Sequence, residues 1–179
     1  QEFFHTQFER MGVRGVLSFE EYMRRAGPQS LLEHVELLPM GRAAYALSHL
    51  YRKYPARHFF RESCREELTR GWHIHVDNYC DYMTGYCAGI SLGDARDITS
   101  MCEGIDLNEH AILSALSTDL KTLFELGVRA FNYKKLAEGY ISKCHLCVDL
   151  RRDIAQKTDE FQELKPREFY HHLEQPSIP

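Results

Sequence analysis

The 179-residue sequence contains no run of 18 uninterrupted apolar residues, so no stretch has the length of a membrane-spanning helix. Long basic runs are missing as well. With 22 basic and 26 acidic residues the formal net charge is −4, which offers no general attraction to nucleic acid. There are no internal repeats and no low-complexity linker. G-x-S-x-G, P-loop, H-E-x-x-H and G-x-G-x-x-G signatures are all missing, which argues against hydrolase, nucleotide triphosphatase and dinucleotide-binding chemistry. Gln1-Glu2-Phe3-Phe4 lacks the charged-then-apolar order of a secretory signal, and the absence of an initial Met is the pattern expected of a fragment or a processed chain. Six cysteines are too few for a small disulfide scaffold, so a cytoplasmic chain using cysteine for metal or redox chemistry is expected.

What is present suffices for a folded core. The composition is 44% hydrophobic and 27% charged, with ten Phe, ten Tyr and one Trp, which excludes a disordered chain. The length predicts one domain or slightly more.

Ser18-Phe19-Glu20-Glu21 has the spacing of a capping box and predicts a short helix that Gly27-Pro28 ends, with another helical turn or two over Ser30 to His34. Val35, Leu37 and Leu38 form an apolar run closed by Pro39 and Gly41, as a buried strand would end before a helix running from Arg42 to about Tyr54-Pro55. This helix, strand, helix order is what a slice of an α/β barrel would show. From Trp72 to Met83 the pattern alternates around the turn formers Asn78-Tyr79-Cys80-Asp81 and predicts a β-hairpin. Ile112, Leu116, Leu120 and Leu123 share one face of a helix predicted from Asp106 to Gly127, with Asp106 and Glu109 as its cap pair and Gly127 past its end. A further helix is expected from the Cys144/Cys147 pair, with Leu150, Ile154 and Ala155 inward, and Pro166 opens a last turn through Phe169 and Leu173. The fold class is thus α+β: a partial α/β barrel end, then a β-hairpin packed with α-helices.

The chemistry concentrates on cysteine. Cys144-x-x-Cys147 at a helix start lets two sulfurs face one centre, and the exposed amides there favour thiolates. Two ligands do not complete a site; Cys64 before the hairpin and Cys87 after it are the best second pair. Cys87 lies between Gly85 and Gly89, which permit close backbone approach to a ligand. The competing reading treats these residues as small buried hydrophobes. Cys102 is expected to pack in a core, whereas Cys80 at the turn is a possible extra ligand. His73 and His75 alternate on one strand face with Asp77, a metal-ligand geometry that serves equally as a hydrogen-bonded hairpin face. The expectation is that His75 and Asp77 fix the hairpin. His171-His172 are expected to be solvated helix residues.

Pro39-Met40-Gly41-Arg42-Ala43, His75-Val76-Asp77-Asn78-Tyr79, Gly85-Tyr86-Cys87-Ala88-Gly89-Ile90-Ser91-Leu92-Gly93, Cys144-His145-Leu146-Cys147 and Pro166-Arg167-Glu168 occur in this order. Together they resemble the C-terminal part of radical S-adenosylmethionine (radical SAM) proteins that carry an auxiliary iron-sulfur extension of the SPASM or twitch kind. The resemblance spans most of residues 35–173. It implies a barrel remnant over 1–60 and an auxiliary-cluster domain over 61–179. It also implies one [4Fe-4S] cluster held by Cys64, Cys87, Cys144 and Cys147, assisting substrate binding or electron transfer. Cys80 stands where the family has a hairpin glycine, and the later cysteines of two-cluster domains are absent. C-x-x-x-C-x-x-C, which builds the catalytic cluster and binds S-adenosylmethionine, is also absent, so the chain alone is expected to be inactive. The implied partners are the N-terminal radical SAM barrel of a parent protein and a peptide or protein substrate, with no nucleic acid or membrane. A zinc-stabilised structural or interaction module using the same cysteines, or a mixture with His73 or His75, is the alternative.

Overall fold

The computed structural model describes residues 24, 25, 27–29, 32, 38–71, 74–85 and 87–173. The chain divides into two compact units, Gln1–Leu37 and Leu38–Pro179. In the first, residues 24, 25, 27–29 and 32 are helical; Gly27 and Pro28, expected to stop a helix, are among them. The capping box at Ser18 and the strand residues Val35 and Leu37 lie outside the described residues. Among those described, no helix is long and apolar enough to cross a membrane.

Among its described residues the second unit is α+β: helices and one two-stranded antiparallel sheet. Its elements are α1 (Ala43–Ala46), α2 (Arg65–Leu68), β1 (Ile74–Val76), β2 (Tyr82–Thr84), α3 (Ile98–Glu103), α4 (Ala111–Thr118), α5 (Leu120–Phe131), α6 (Lys143–Ala155) and α7 (Arg167–His171). Single 3₁₀ turns cover Ser48–Leu50 and Ala56–Phe59. The helix expected from Arg42 to Tyr54 therefore stops after one turn. Residues 38–60, read from the sequence as a barrel remnant, pack into the same unit as the rest. Tyr54 exchanges two backbone hydrogen bonds with Tyr140, both at 2.8 Å, and Ala56 and Phe59 join the core.

The long helix expected over 106–127 is two helices. Asp119 has an extended backbone, and its carboxylate accepts from the Thr122 amide at 2.7 Å, so it restarts the chain as the N-cap of α5. Leu120 then donates to the Glu62 carbonyl, which fixes the corner. Asp106 instead organises the preceding turn through Asn108. Gly127 lies inside α5, where a β-carbon would stand 2.9 Å from Cδ2 of Leu150; its role is close helix packing, and Asn132 in the left-handed region ends the helix.

α6 is the central element. Ser142 caps it, accepting from the His145 amide at 3.0 Å, and α1, α5, α7 and the 3₁₀ turn Ala56–Phe59 pack around it, burying His145 through Arg151 and Ile154. A helix covered on so many sides must find partners for its polar residues, because an unpaired buried charge is costly. Asp149 accepts from Tyr45, Tyr133 and Arg152 at 3.2, 2.5 and 2.9 Å. At the far end of α6, Arg167 of α7 donates to the Ala155 carbonyl at 2.8 Å and to the Thr158 carbonyl at 2.9 Å.

The hairpin pairs His75 with Met83 and Val76 with Tyr82. Asp77 builds its turn by accepting from the Tyr79 and Asp81 amides, both at 2.9 Å. Cys80 adopts φ 67°, the left-handed conformation for which glycine is the default residue. Residues 92–94 run back along β2, with Leu92 donating to Tyr82 at 2.7 Å and Tyr82 to Gly93 at 2.9 Å.

Candidate functional site

Three separated stretches deliver cysteines to one cavity of about 170 Å³. Its lining includes Cys64, Cys87, Cys144, Cys147, Met40 and Arg151. Cys64 is the residue before α2, held there because its amide donates to Leu116 of α4 and its carbonyl accepts from Leu68. Cys144 and Cys147 occupy the first turns of α6. Cys87 begins a turn closed by the Ile90 amide. That turn is held against α7 at Gly89, whose φ is 79° and whose carbonyl accepts from the Tyr170 hydroxyl.

Burial governs the thiols more than the helix-start amides do. It pushes Cys144 up to about 12, with the neighbouring Cys147 adding to the effect, and it also raises Cys87. Cys64 and Cys147 act on each other as neighbours in the buried site: Cys64 is raised, by Cys147 and by burial, while Cys147 is lowered by Cys64 and, against its own burial, by Arg151. Arg151 sits one turn along α6, 5% exposed, with Nε donating to Cys147 Sγ at 3.3 Å. Its Nη1 donates to the Ala88 carbonyl at 3.1 Å and the Tyr170 hydroxyl at 2.7 Å. At the cavity mouth Lys143 meets Glu67 at 2.7 Å. Burial alone would raise the Glu67 carboxyl, but the Lys143 bond outweighs it and lowers it.

The sequence reading did not find Arg151, Lys143, Glu67 or Tyr170. Arg151 carries a usable signal: it follows Cys147 by four residues, so it shares that cysteine's helix face. The other expected candidates stand elsewhere. Cys80 at the hairpin turn and the exposed His75 do not line the cavity, and His73 lies outside the described residues. Asp77 holds the hairpin turn by hydrogen bonds. Cys102, expected in a core, is exposed on α3 because the helix turns that face outward. His171 and His172 are exposed, as solvated residues would be.

All six cysteines are free thiols. Among the described residues, no three His, Cys, Asp or Glu side chains form a group that could hold a metal ion as they stand. A single tetrahedral zinc needs its sulfurs drawn to about 2.3 Å from one point. Here four cysteines line a space several times the roughly 30 Å³ share of one water molecule. The donor set is sulfur throughout, and a buried cation already donates to one of the sulfurs; both features suit a polyatomic, anionic iron-sulfur group. No family model matches the chain, and neither does any curated protein or solved structure.

Proposed function

We propose that the chain is the auxiliary [4Fe-4S]-cluster domain of a radical SAM protein, with Cys64, Cys87, Cys144 and Cys147 as the four ligands. The observation that carries this reading is the convergence of these cysteines, distant in sequence, on one cavity. Residues 1–60 belong in the same proposal to the end of the catalytic barrel. The barrel itself, bearing the C-x-x-x-C-x-x-C site for S-adenosylmethionine, is the partner, and a peptide or protein is the proposed substrate. The cytoplasm, where thiols stay reduced, is the fitting compartment.

When bound, such a cluster supplies one-electron transfer or helps hold the substrate. The chain's residues prepare the place for it. Cys64, Cys87 and Cys144 hold their protons in the buried site and release them on ligation. Met40, Ala88 and Val148 give the cavity apolar walls, and the Lys143–Glu67 pair lies at its mouth. Arg151 fastens the ligand helix to the Cys87 loop.

Colour tests the proposal. Anaerobic reconstitution with iron and sulfide should give a brown protein with broad visible sulfur-to-iron absorption. A colourless protein that takes up zinc instead would favour the structural module. Incubated with dithionite and S-adenosylmethionine, the reconstituted chain alone should form no 5′-deoxyadenosine, and steady formation would contradict the assignment.

A further inference from the structure

We propose that Arg151 sets the reduction potential of the four-cysteine site, holding it higher than the same sulfurs would without a buried cation; this rests on the cluster reading above. Arg151 is a positioning and tuning residue that touches a ligand sulfur, and the argument for it is geometric. Its Nε lies 3.3 Å from Cys147 Sγ, and the side chain is enclosed, 5% exposed, between α6, the Cys87–Gly89 turn and α7. The other two partners of the guanidinium, the Ala88 carbonyl and the Tyr170 hydroxyl, are uncharged, so no carboxylate in these contacts neutralises it. Lys143, which also lines the cavity, differs because it is matched by Glu67 at 2.7 Å.

Arginine remains charged in proteins, so this cation persists at any working pH. One-electron reduction, with the electron drawn from dithionite in a titration, adds one negative charge to the site. A fixed positive charge and an N–H···S hydrogen bond, both shielded from water, stabilise the reduced form more than the oxidised one. The same guanidinium also grips the carbonyl beside Cys87. It thereby keeps the ligand loop and the ligand helix in one register.

The test is a redox titration of the reconstituted full chain, followed by electron paramagnetic resonance, for the wild type, Arg151→Met, Arg151→Gln, Arg151→Lys and Tyr170→Phe. Arg151→Met should lower the midpoint so that, at the wild-type midpoint, the ratio of reduced to oxidised cluster falls about tenfold or more. Arg151→Lys, which keeps the charge, should recover much of the loss. Tyr170→Phe removes one acceptor of the guanidinium without altering its charge and should shift the midpoint much less than Arg151→Met does. Arg151→Gln retains polar donors for Ala88 and Tyr170, and it gives the same readout should the Met variant fail to fold.

Equal iron content and equal midpoints in all five proteins would overturn the tuning role while leaving the cluster reading standing. Folded Met and Gln variants that both fail to load iron would also overturn it, making Arg151 a structural requirement. A wild type that takes up no iron and sulfide would overturn both.

Discussion

A β-carbon on Gly89 would stand 2.3 Å from Cδ1 of Phe169, inside the ring's van der Waals surface, at a position whose φ of 79° already disfavours any side chain. The Cys87 turn can therefore approach α7 only because this residue is glycine. Gly89→Ala should lower stability by about 2 to 4 kcal/mol, combining the left-handed penalty with overpacking. Urea denaturation measures it; a loss below about 1 kcal/mol would mean that the turn does not rest on Phe169.

Asp149 is 1% exposed and accepts from two tyrosine hydroxyls and Arg152. Asp149→Ala strands these donors and should cost about 3 to 5 kcal/mol, the range for breaking a buried pair by removing one partner. Asp149→Asn keeps an acceptor and should cost less. Equal denaturation midpoints for the wild type and the alanine variant would contradict the network.

Cys80 occupies a left-handed position at the hairpin turn, with its amide donating to Asp77 at 3.1 Å and its carbonyl accepting from Ala95 at 2.8 Å. Cys80→Gly removes the steric penalty at the expense of chain entropy, and the balance predicts a gain of up to about 1 kcal/mol. It should leave iron binding unchanged, since Cys80 does not line the cavity. A variant that lost iron would reinstate Cys80 as a ligand.

Asp119 caps α5 through the Thr122 amide and hydroxyl, and these bonds lower its carboxyl below the ordinary value. A lowered folded pKa means the ionised cap contributes fully above the carboxyl's ordinary pKa, and that contribution fades as pH falls through the lowered folded value. Asp119→Ala should cost about 1 kcal/mol at neutral pH. The gap between variant and wild type should narrow in acid. A gap independent of pH would show that the carboxylate charge is not what caps the helix.

The parts legible in the sequence are those where local signals agree. The hairpin, the helix behind Cys144 and the turn after Pro166 follow from alternation, the helical spacing of Leu150 and Ile154, and proline placement. The 106–127 helix misled because Leu116, Leu120 and Leu123 keep one periodicity across Asp119. Only the long-range bond from Leu120 to Glu62 shows that the chain turns there. The four cysteines could be paired by spacing, but Arg151 and Tyr170 meet across 19 residues and two helices, a contact that no local pattern encodes. Cys102 is exposed where core packing is expected, because helical spacing alone does not say which face of α3 looks outward.

The most direct measurement is the iron and acid-labile sulfide content of anaerobically reconstituted protein, wild type beside single Cys→Ser variants at positions 64, 80, 87, 102, 144 and 147. The account predicts about four irons and four sulfides per chain in the wild type and in the variants at 80 and 102. Content should fall sharply, with loss of the visible absorption, at 64, 87, 144 and 147. Undiminished iron in those four variants, or a colourless wild type carrying one zinc per chain, would contradict it.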